Sequence, residues 1–305
     1  MHVRGIIEFS NVCSRNCSYC GLRATNSAVL RYEMKSEEVL EIASEASRTG
    51  VRTVVLQSGE SDAANPGRLA ETISEIKSEL GVAITLCVGQ KPASYYRIWR
   101  ERGADRYLLK HETASPLLYD ELHPDSRLDA RLSALSCLRD LGYQVGSGCI
   151  IGLPGQTSLD LAADILLCRD LDLDMAAFGP FVPHAQTPLA EAPACDLTLA
   201  LRVVAAARLV LGPVHIPATT AFDALAPNGR EQALRCGANV IMADLTPAAY
   251  GHLYDIYPTS GVTNSLETVL DILSRVDRPL ALNNGDSLKA RPRTGALACN
   301  ERPKA

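Results

Sequence analysis

The chain has 305 residues, of which 47% are hydrophobic and 21% charged, and its formal net charge is −5 at pH 7. These values are ordinary for a globular protein with one large domain or two small ones. The negative balance gives no electrostatic reason to expect a nucleic-acid partner. No uncharged apolar run reaches the length of a membrane span, and we expect no membrane association. The longest apolar stretch, Leu197 to Leu211, contains two arginines and predicts an amphipathic helix.

Ten cysteines occur in the chain, and no secretory leader is recognisable before the first of them. A disulfide framework is therefore not expected in a chain of this length. Free thiols persist in reducing compartments. We expect a cytoplasmic protein.

Short β-rich runs alternate with longer helical stretches along the whole chain. Ile6–Phe9 predicts the first strand, Ser36 predicts the cap of the first helix, and Gly50 lies past its end. Further strands are predicted at Thr53–Gln57, Ala83–Val88, Arg106–Lys110, Val145–Ile151, Ala176–Phe178, Val214–Pro217 and Asn239–Met242. Further helices are predicted around Leu69–Leu80, Tyr95–Arg102, from Pro116, and at Ala130–Leu141, Leu159–Leu171, Leu197–Leu211, Gly229–Arg235 and Leu266–Arg275.

This alternation indicates the fold class. Eight βα units in about 275 residues favour a complete (β/α)8 barrel over an open sheet. We predict one barrel domain over residues 1–285 and a mobile tail over 286–305. The tail mixes Lys, Arg, Pro and Gly with few apolar residues.

Polar residues follow the predicted strands, where barrel enzymes place their chemistry. Three cysteines, Cys13, Cys17 and Cys20, follow the first strand with the spacing C-x3-C-x2-C. Three thiolates on one loop can hold three irons of a [4Fe–4S] cluster, which leaves the fourth iron open to a small molecule. A zinc site is the main alternative, but structural zinc sites need four ligands and no second cysteine pair occurs nearby.

The C-x3-C-x2-C spacing resembles the signature of radical S-adenosylmethionine (SAM) enzymes, in which the amino acid end of SAM fills the open position. Ser58, Gly59 and Glu60 form a turn after the second strand, where backbone carbonyls can hold the SAM ammonium. A plain turn with a solvated Glu60 is the alternative. Glu112, after the fourth strand, is a candidate acceptor for ribose hydroxyls or the amine of SAM.

Further candidate residues lie near Glu112 and near the cysteines. Arg131 can fork onto the SAM carboxylate, although a lone arginine at a helix start is usually on the surface. An ion pair between Glu112 and either Arg131 or Lys110 is the structural alternative. His111 is more often a packed histidine than a ligand. Tyr19, directly before the last thiol, is also a candidate SAM neighbour.

Seven ordered strings strengthen the resemblance and narrow it to the HydE-type maturases of [FeFe]-hydrogenase, which are related to biotin synthase and methylornithine synthase. They lie at residues 6–13, 56–60, 106–114, 152–157, 179–184, 217–221 and 235–242. The resemblance covers most of the chain, from about Val3 to Tyr257.

The resemblance implies a full barrel with a [4Fe–4S] cluster on Cys13, Cys17 and Cys20 and SAM beside it. Reductive cleavage of SAM would give a 5′-deoxyadenosyl radical. The implied substrate is an iron–cysteine complex with CO and cyanide ligands, and the implied electron donor is a ferredoxin or flavodoxin. Other maturation proteins are further expected partners. The implied cavity residues are Thr85, Lys110, Thr219, Thr220, Met242, Tyr254 and Tyr257.

Three features depart from the family pattern. The helical N-terminal extension expected of the family is absent, no cysteine cluster follows Tyr257, and Lys110 stands where an arginine is expected. These departures leave a mutase of the methylornithine synthase type as the main alternative. A non-catalytic iron–sulfur carrier is the second, and the SAM-side residues Glu112 and Arg131 argue against it.

Overall fold

Eight parallel strands form one sheet that curls into a nearly closed barrel, with the helices outside it. This computed structural model describes residues 1–63, 65–258 and 264–289. The prediction of a (β/α)8 barrel in a single domain is confirmed.

The first half of the barrel follows the predicted order closely. Its strands are β1 (His2–Ser10), β2 (Thr53–Ser58), β3 (Ala83–Cys87), β4 (Arg106–Leu108), β5 (Gln144–Ser147) and β6 (Ile150–Ile151). Its helices are α1 (Ser36–Arg48), α2 (Pro66–Leu80), α3 (Ala93–Glu101), α4 (Pro116–Leu122), α5 (Leu128–Asp140) and α6 (Ser158–Asp170).

The second half has shorter strands and more small helices. Its strands are β7 (Met175–Ala176), β8 (Gly179–Pro180), β9 (Pro217–Ala218) and β10 (Val240–Asp244). Its helices are α7 (Leu197–Leu211), α8 (Ala221–Leu225), α9 (Gly229–Arg235), α10 (Ala248–Gly251) and α11 (Leu266–Arg275).

The barrel closes where its two edge strands meet. The sheet order is β7-β5-β4-β3-β2-β1-β10-β9, and all pairs are parallel. Met175 of β7 forms an isolated parallel bridge with His215, two residues before β9. Because a closed parallel sheet points every strand the same way, all the strand ends lie at one rim.

Gly148 interrupts the predicted strand Val145–Ile151. Its φ is +149°, and a Cβ there would lie 1.9 Å from the carbonyl oxygen of Ala177. The backbone of β5 therefore touches the segment after β7 at this point. After the break, β6 pairs with β8 as a separate two-stranded sheet.

The cap of α1 also differs from the prediction. Lys35 is the N-cap residue, and its backbone N–H donates to Glu38 Oε2 at 2.8 Å. Ser36 is the first helical residue, and its hydroxyl accepts from Thr72 of α2. The serine thus joins two helices instead of capping one.

An aromatic cluster fills the layer outside β4. Trp99 is 1% exposed, stacks on Tyr107 at 6.5 Å between ring centroids, and donates its indole N–H to the carbonyl of Pro66. Tyr96 packs edge-on against Tyr107 at 5.0 Å. Trp99 and Gly59 line the same pocket beside β2. The cluster thus connects α3 to the strand ends of the barrel.

The opposite end of the barrel is covered by residues 279–289. Asp286 accepts hydrogen bonds from the buried guanidinium of Arg106 at 2.9 Å and from Gln144 at 2.9 Å. Ser287 donates to Asp174. The sequence predicts a mobile tail that begins at Asp286. Residues 286–289 are instead hydrogen-bonded to the barrel. The rest of that predicted tail, 290–305, lies outside the described residues.

The helices were also compared with the dimensions of a bilayer. Among the described residues, no helix combines the length and the apolar character needed to cross a membrane.

We expect Gly148→Ala to lower the free energy of unfolding by at least about 2 kcal/mol, since the methyl group would overlap backbone that cannot move aside. Chemical denaturation followed by circular dichroism measures this loss. Gly50→Ala is the matched control, because Gly50 also has a positive φ, +92°, but its Cβ would meet no atom within 4 Å. Equal losses in the two variants would contradict the clash at Gly148.

Candidate functional site

The cysteine loop follows β1 and is held in shape by one arginine. Arg31 donates from Nη1 to the carbonyls of Asn11 at 2.7 Å and Leu22 at 2.9 Å, and from Nη2 to the carbonyl of Arg23 at 2.8 Å. No helix or strand lies between residues 11 and 32. Backbone carbonyls bonded to a single guanidinium therefore replace regular secondary structure here.

The cysteine loop packs against the turn that follows β2. Ser14 N donates to the carbonyl of Glu60 at 2.8 Å. A Cβ on Gly59 would lie 2.4 Å from the carbonyl oxygen of Val12 and 2.9 Å from Cys13 Cβ. Only glycine permits this approach, so the turn after β2 and the cysteine loop form one surface.

Cys13, Cys17 and Cys20 lie on this loop as half-buried free thiols. Burial raises the pKa of Cys20 to about 12, with Cys13 and Glu112 adding to the rise. Burial also raises the pKa of Cys17, and the charges of Cys20 and Cys13 raise it further. Cys17 and Cys20, whose ionisation is disfavoured in this way, need a cationic group beside them to become thiolates.

The donor set fits a cluster better than a single ion. No three His, Cys, Asp or Glu side chains converge on one ion position among residues 1–63, 65–258 and 264–289. A zinc ion needs its ligands within about 2.3 Å of one centre. A cluster spreads its thiolates over separate irons. Three thiols on one loop are donors of the kind that such a cluster takes.

Glu60 lies between two arginines beside the cysteine loop. Its Oε1 is 2.6 Å from Arg15 Nε, and its Oε2 is 3.7 Å from Arg131 Nη1. The same Oε2 accepts from the backbone N–H of Gln90 at 2.8 Å. Glu60 is thus a buried, paired carboxylate, and the solvated Glu60 considered from the sequence is not observed.

Glu112 pairs with Lys110, one of the two partners considered from the sequence. Lys110 Nζ lies 2.8 Å from Glu112 Oε2. Burial opposes ionisation of Glu112, but the positive charges of Lys110 and then Arg131 outweigh it and hold the pKa of Glu112 below its usual range. The carboxylate is therefore charged at neutral pH.

Arg131 is buried instead of lying on the surface. It is 6% exposed at the start of α5, and its Nε donates to the hydroxyl of Tyr119 at 3.2 Å. Its 3.7 Å contact with Glu60 is long for an ion pair, so the guanidinium retains donors for a further anion.

Tyr19 joins the same network through a neutral histidine. Burial lowers the pKa of His123 to about 4. His123 Nδ1 lies 3.2 Å from the carbonyl of Tyr119, so Nδ1 carries the proton. Nε2 then accepts from the Tyr19 hydroxyl at 2.9 Å. The residue before the last cysteine is thereby connected to α4.

The predicted cavity residues differ in the hydrogen bonds that they make. Thr220 Oγ1 lies 2.7 Å from the hydroxyl of Tyr257, and burial raises the pKa of Tyr257 and of Tyr254. Thr85 and Thr219 each have a buried hydroxyl oxygen without a hydrogen-bond partner among the described residues. Met242 lies in register with Arg4, deeper along the strands, and no described contact joins it to the tyrosines.

Several residues of this region escaped the sequence reasoning. Arg15 and His123 pair with Glu60 and Tyr19, and the only sequence signal was their place inside or just after a motif. Glu8 was also missed. It is a carboxyl on β1 whose pKa is raised well above its usual value, first by burial and then by Asp244. A charged residue within the otherwise apolar run Ile6–Phe9 is the signal that could have found it.

We expect Lys110→Met to raise the pKa of Glu112, because burial then meets less opposing positive charge. In the wild type, ionised Glu112 stabilises the fold above its ordinary pKa, and this contribution is lost as the pH falls through the lowered pKa. Carbon-13 NMR titration of glutamate-labelled protein, with Glu112→Gln for assignment, measures the shift. Lys110→Arg keeps the charge and should leave the pKa low. An unchanged pKa in Lys110→Met would refute the dominance of this ion pair.

Comparison of the sequence with known proteins identifies a family and several relatives. Residues 7–168 match the Radical SAM superfamily. The chain is 50% identical over 258 residues to the [FeFe] hydrogenase maturase subunit HydE of Thermotoga maritima, covering 85% of this chain and 74% of that protein. It is 28% identical over 246 residues to 3-methylornithine synthase of Methanosarcina barkeri, covering 79% of this chain and 68% of that protein.

Solved structures agree with the sequence matches. Methylornithine synthase (PylB) superposes with a TM-score of 0.80 at 25% identity, over 93% of this chain and 84% of that one. HydG, a maturase of the [FeFe]-hydrogenase, gives 0.80 at 18% identity over 92% of this chain and 65% of that one, a likeness of fold alone. The chain therefore belongs to the radical SAM superfamily and, within it, to the HydE-like enzymes.

Proposed function

We propose that this radical SAM enzyme is a HydE-like maturase that acts on an iron–cysteine complex with CO and cyanide ligands during assembly of the hydrogenase H-cluster. The observation that carries the proposal is the half-buried three-cysteine loop, seated directly on the turn that holds Glu60 and beside the charged pair Lys110–Glu112. The 50% identity to the [FeFe] hydrogenase maturase subunit HydE of Thermotoga maritima supports the maturase role.

Cys13, Cys17 and Cys20 are the proposed ligands of a [4Fe–4S] cluster. A reduced cluster held by these three residues would supply one electron for reductive cleavage of the sulfonium of bound SAM. The protein contributes binding, orientation and exclusion of water. The charged residues around the cysteine loop are the proposed contacts of SAM.

The charges beside the loop suggest how SAM is oriented. Arg131, whose contact to Glu60 is long, is the proposed partner of the SAM carboxylate. The carbonyls of the turn at Ser58 and Gly59, together with Glu60, would accept from the SAM ammonium. Glu112, which is ionised, would accept from the ribose hydroxyls or the amine. Tyr19 would pack beside the cluster.

The residues that the family resemblance places around an inner cavity form the proposed substrate site. Lys110 would provide a point charge for a substrate carboxylate, where a family member with arginine would provide a planar fork. The unpartnered hydroxyls of Thr85 and Thr219 and the pair Thr220–Tyr257 offer hydrogen bonds, and Met242 and Tyr254 offer apolar walls. These groups suit a small polar complex with both donors and acceptors.

We infer that the catalytic unit spans residues 1–285 and works in the cytoplasm, since cluster ligation needs reduced thiols. A ferredoxin or flavodoxin would supply the electron, and other maturation proteins would receive the product.

A mutase of the methylornithine synthase type is the second candidate. It is favoured by the superposition on PylB at 25% identity and by the lysine at position 110. A non-catalytic iron–sulfur carrier is disfavoured by the buried Glu60 and Arg131 and the partly buried Glu112, which a simple carrier does not need.

We expect Cys17→Ala to abolish SAM cleavage, because loss of one thiolate leaves the cluster with two protein ligands. The measurement is 5′-deoxyadenosine, quantified by mass spectrometry after anaerobic reconstitution and reduction with dithionite. Cys168→Ala, a change at a buried thiol of α6, is the control and should retain cleavage. Appreciable 5′-deoxyadenosine from Cys17→Ala would count against the assigned ligands.

The substrate is tested by offering the reconstituted enzyme the iron–cysteine complex or lysine, each with SAM and dithionite. We expect SAM-dependent consumption of the iron–cysteine complex and no methylornithine, read by mass spectrometry. Formation of methylornithine from lysine would replace the maturase by the mutase. An intact cluster passed to an acceptor with no SAM cleavage would replace both by a carrier.

A further inference from the structure

The backbone of Glu112 has a conformation that few residues with a side chain adopt. Its φ is +66°, in the left-handed region, where only glycine is free of steric cost. The backbone is fixed on both sides: Glu112 N donates to the carbonyl of Gly148 at 3.0 Å, and Ile150 N donates to the carbonyl of Glu112 at 2.9 Å. Strained positions persist only where surrounding contacts enforce them.

A buried carboxylate on α6 contacts the chain just before and just after this residue. Asp164 Oδ1 accepts from the backbone N–H of Ala114 at 2.5 Å. The same oxygen lies 3.3 Å from His111 Nε2, a close approach without the alignment of a full hydrogen bond. The Asp164 carboxylate thus contacts His111 before Glu112 and Ala114 after it, on both sides of the strained residue.

Ser147 sets the orientation of the histidine. Its hydroxyl oxygen accepts from His111 N at 3.0 Å and lies 2.9 Å from His111 Nδ1. The hydroxyl proton is then available to Nδ1, which leaves the ring proton on Nε2, facing Asp164. His111 and Asp164 are each 0% exposed, so no solvent competes for these groups.

Asp164 also reaches the loop after β6. Gln156 Nε2 donates to Asp164 Oδ2 at 3.4 Å and to the carbonyl of Ile150 at 2.9 Å, while Gln156 Oε1 accepts from Gly152 N at 2.7 Å. Burial, and then the charge of Asp164, raises the pKa of the Cys149 thiol. A single carboxylate therefore joins the turn of Glu112 to the turn that follows β6.

Nothing in the proposed chemistry uses Asp164 directly, because it lies behind the barrel wall. From these contacts we propose that Asp164 is a positioning residue that holds Glu112 in the conformation needed to bind SAM. This inference rests on the proposed function, in which Glu112 contacts SAM. Loss of the carboxylate charge would free the turn to relax from its left-handed conformation.

Asp164→Asn is the main variant, and SAM binding to the reconstituted protein is measured by isothermal titration calorimetry. The change preserves shape but removes the charge-assisted bond to Ala114, so we expect the Kd for SAM to rise about tenfold or more. Iron and sulfide content should stay at the wild-type level. Hydrogen exchange without SAM should accelerate at the amides of Glu112 and Ala114.

Asp174→Asn is the matched control. Asp174 is 1% exposed and also accepts from a backbone N–H, that of Val145 at 2.9 Å, but at the opposite end of the barrel. The control should leave the Kd for SAM unchanged. An equal rise in both variants would make Asp164 a general stability residue and overturn the inference. Wild-type SAM binding by Asp164→Asn would also overturn it.

Two further variants, Glu112→Gln and its combination with Asp164→Asn, distinguish failure of this inference from failure of the proposed function. Glu112→Gln with wild-type SAM binding would refute the assigned role of Glu112 itself. If Glu112→Gln weakens binding, the double variant with Asp164→Asn should bind no more weakly than Glu112→Gln alone, since Asp164 acts through Glu112. Additive losses would overturn the positioning role. His111→Phe removes the ring contacts to Asp164 and Ser147 but leaves the bond from Ala114 to Asp164 in place. It should give a smaller rise in Kd, and it tests the network if Asp164→Asn fails to fold.

Discussion

The closed parallel sheet is the constraint on which the rest of the molecule depends. Parallel strands all end at the same rim, so loops far apart in sequence become neighbours there. The cysteine loop after β1 rests on the turn after β2, and Glu60 of that turn meets Arg131 of α5. The bridge from Met175 to His215 completes this ring of hydrogen bonds. Local polar sequences thereby become one site.

Charges at the rim are already paired within the protein. Lys110 holds Glu112 and Arg15 holds Glu60, each at ordinary ion-pair distance, while Arg131 is engaged less tightly. Buried charges are tolerated only when paired, so an incoming ligand with both an ammonium and a carboxylate must exchange partners rather than simply add them. Such exchange favours zwitterionic ligands over simple anions or cations.

Much of this architecture was predictable from the sequence, because alternating apolar periods mark the βα units and α7 was bounded at its observed ends. The break at Gly148 was not, since it depends on the carbonyl of Ala177 in another strand. The cysteine motif was evident from spacing alone. Asp164 was missed, although an aspartate among the buried positions Leu161 and Ile165 of α6 was a visible signal. Tertiary partners, absent from any local pattern, decide such cases.

Trp99 is the single tryptophan of the chain, and it is buried beside the pocket that Gly59 also lines. Its emission therefore comes from one known place, close to where the cysteine loop meets β2. Iron–sulfur chromophores absorb light in the range where indole emits. Binding of an iron–sulfur cluster to the cysteine loop should thus quench this fluorescence. The intensity of Trp99 emission would then report the fraction of protein that carries the cofactor.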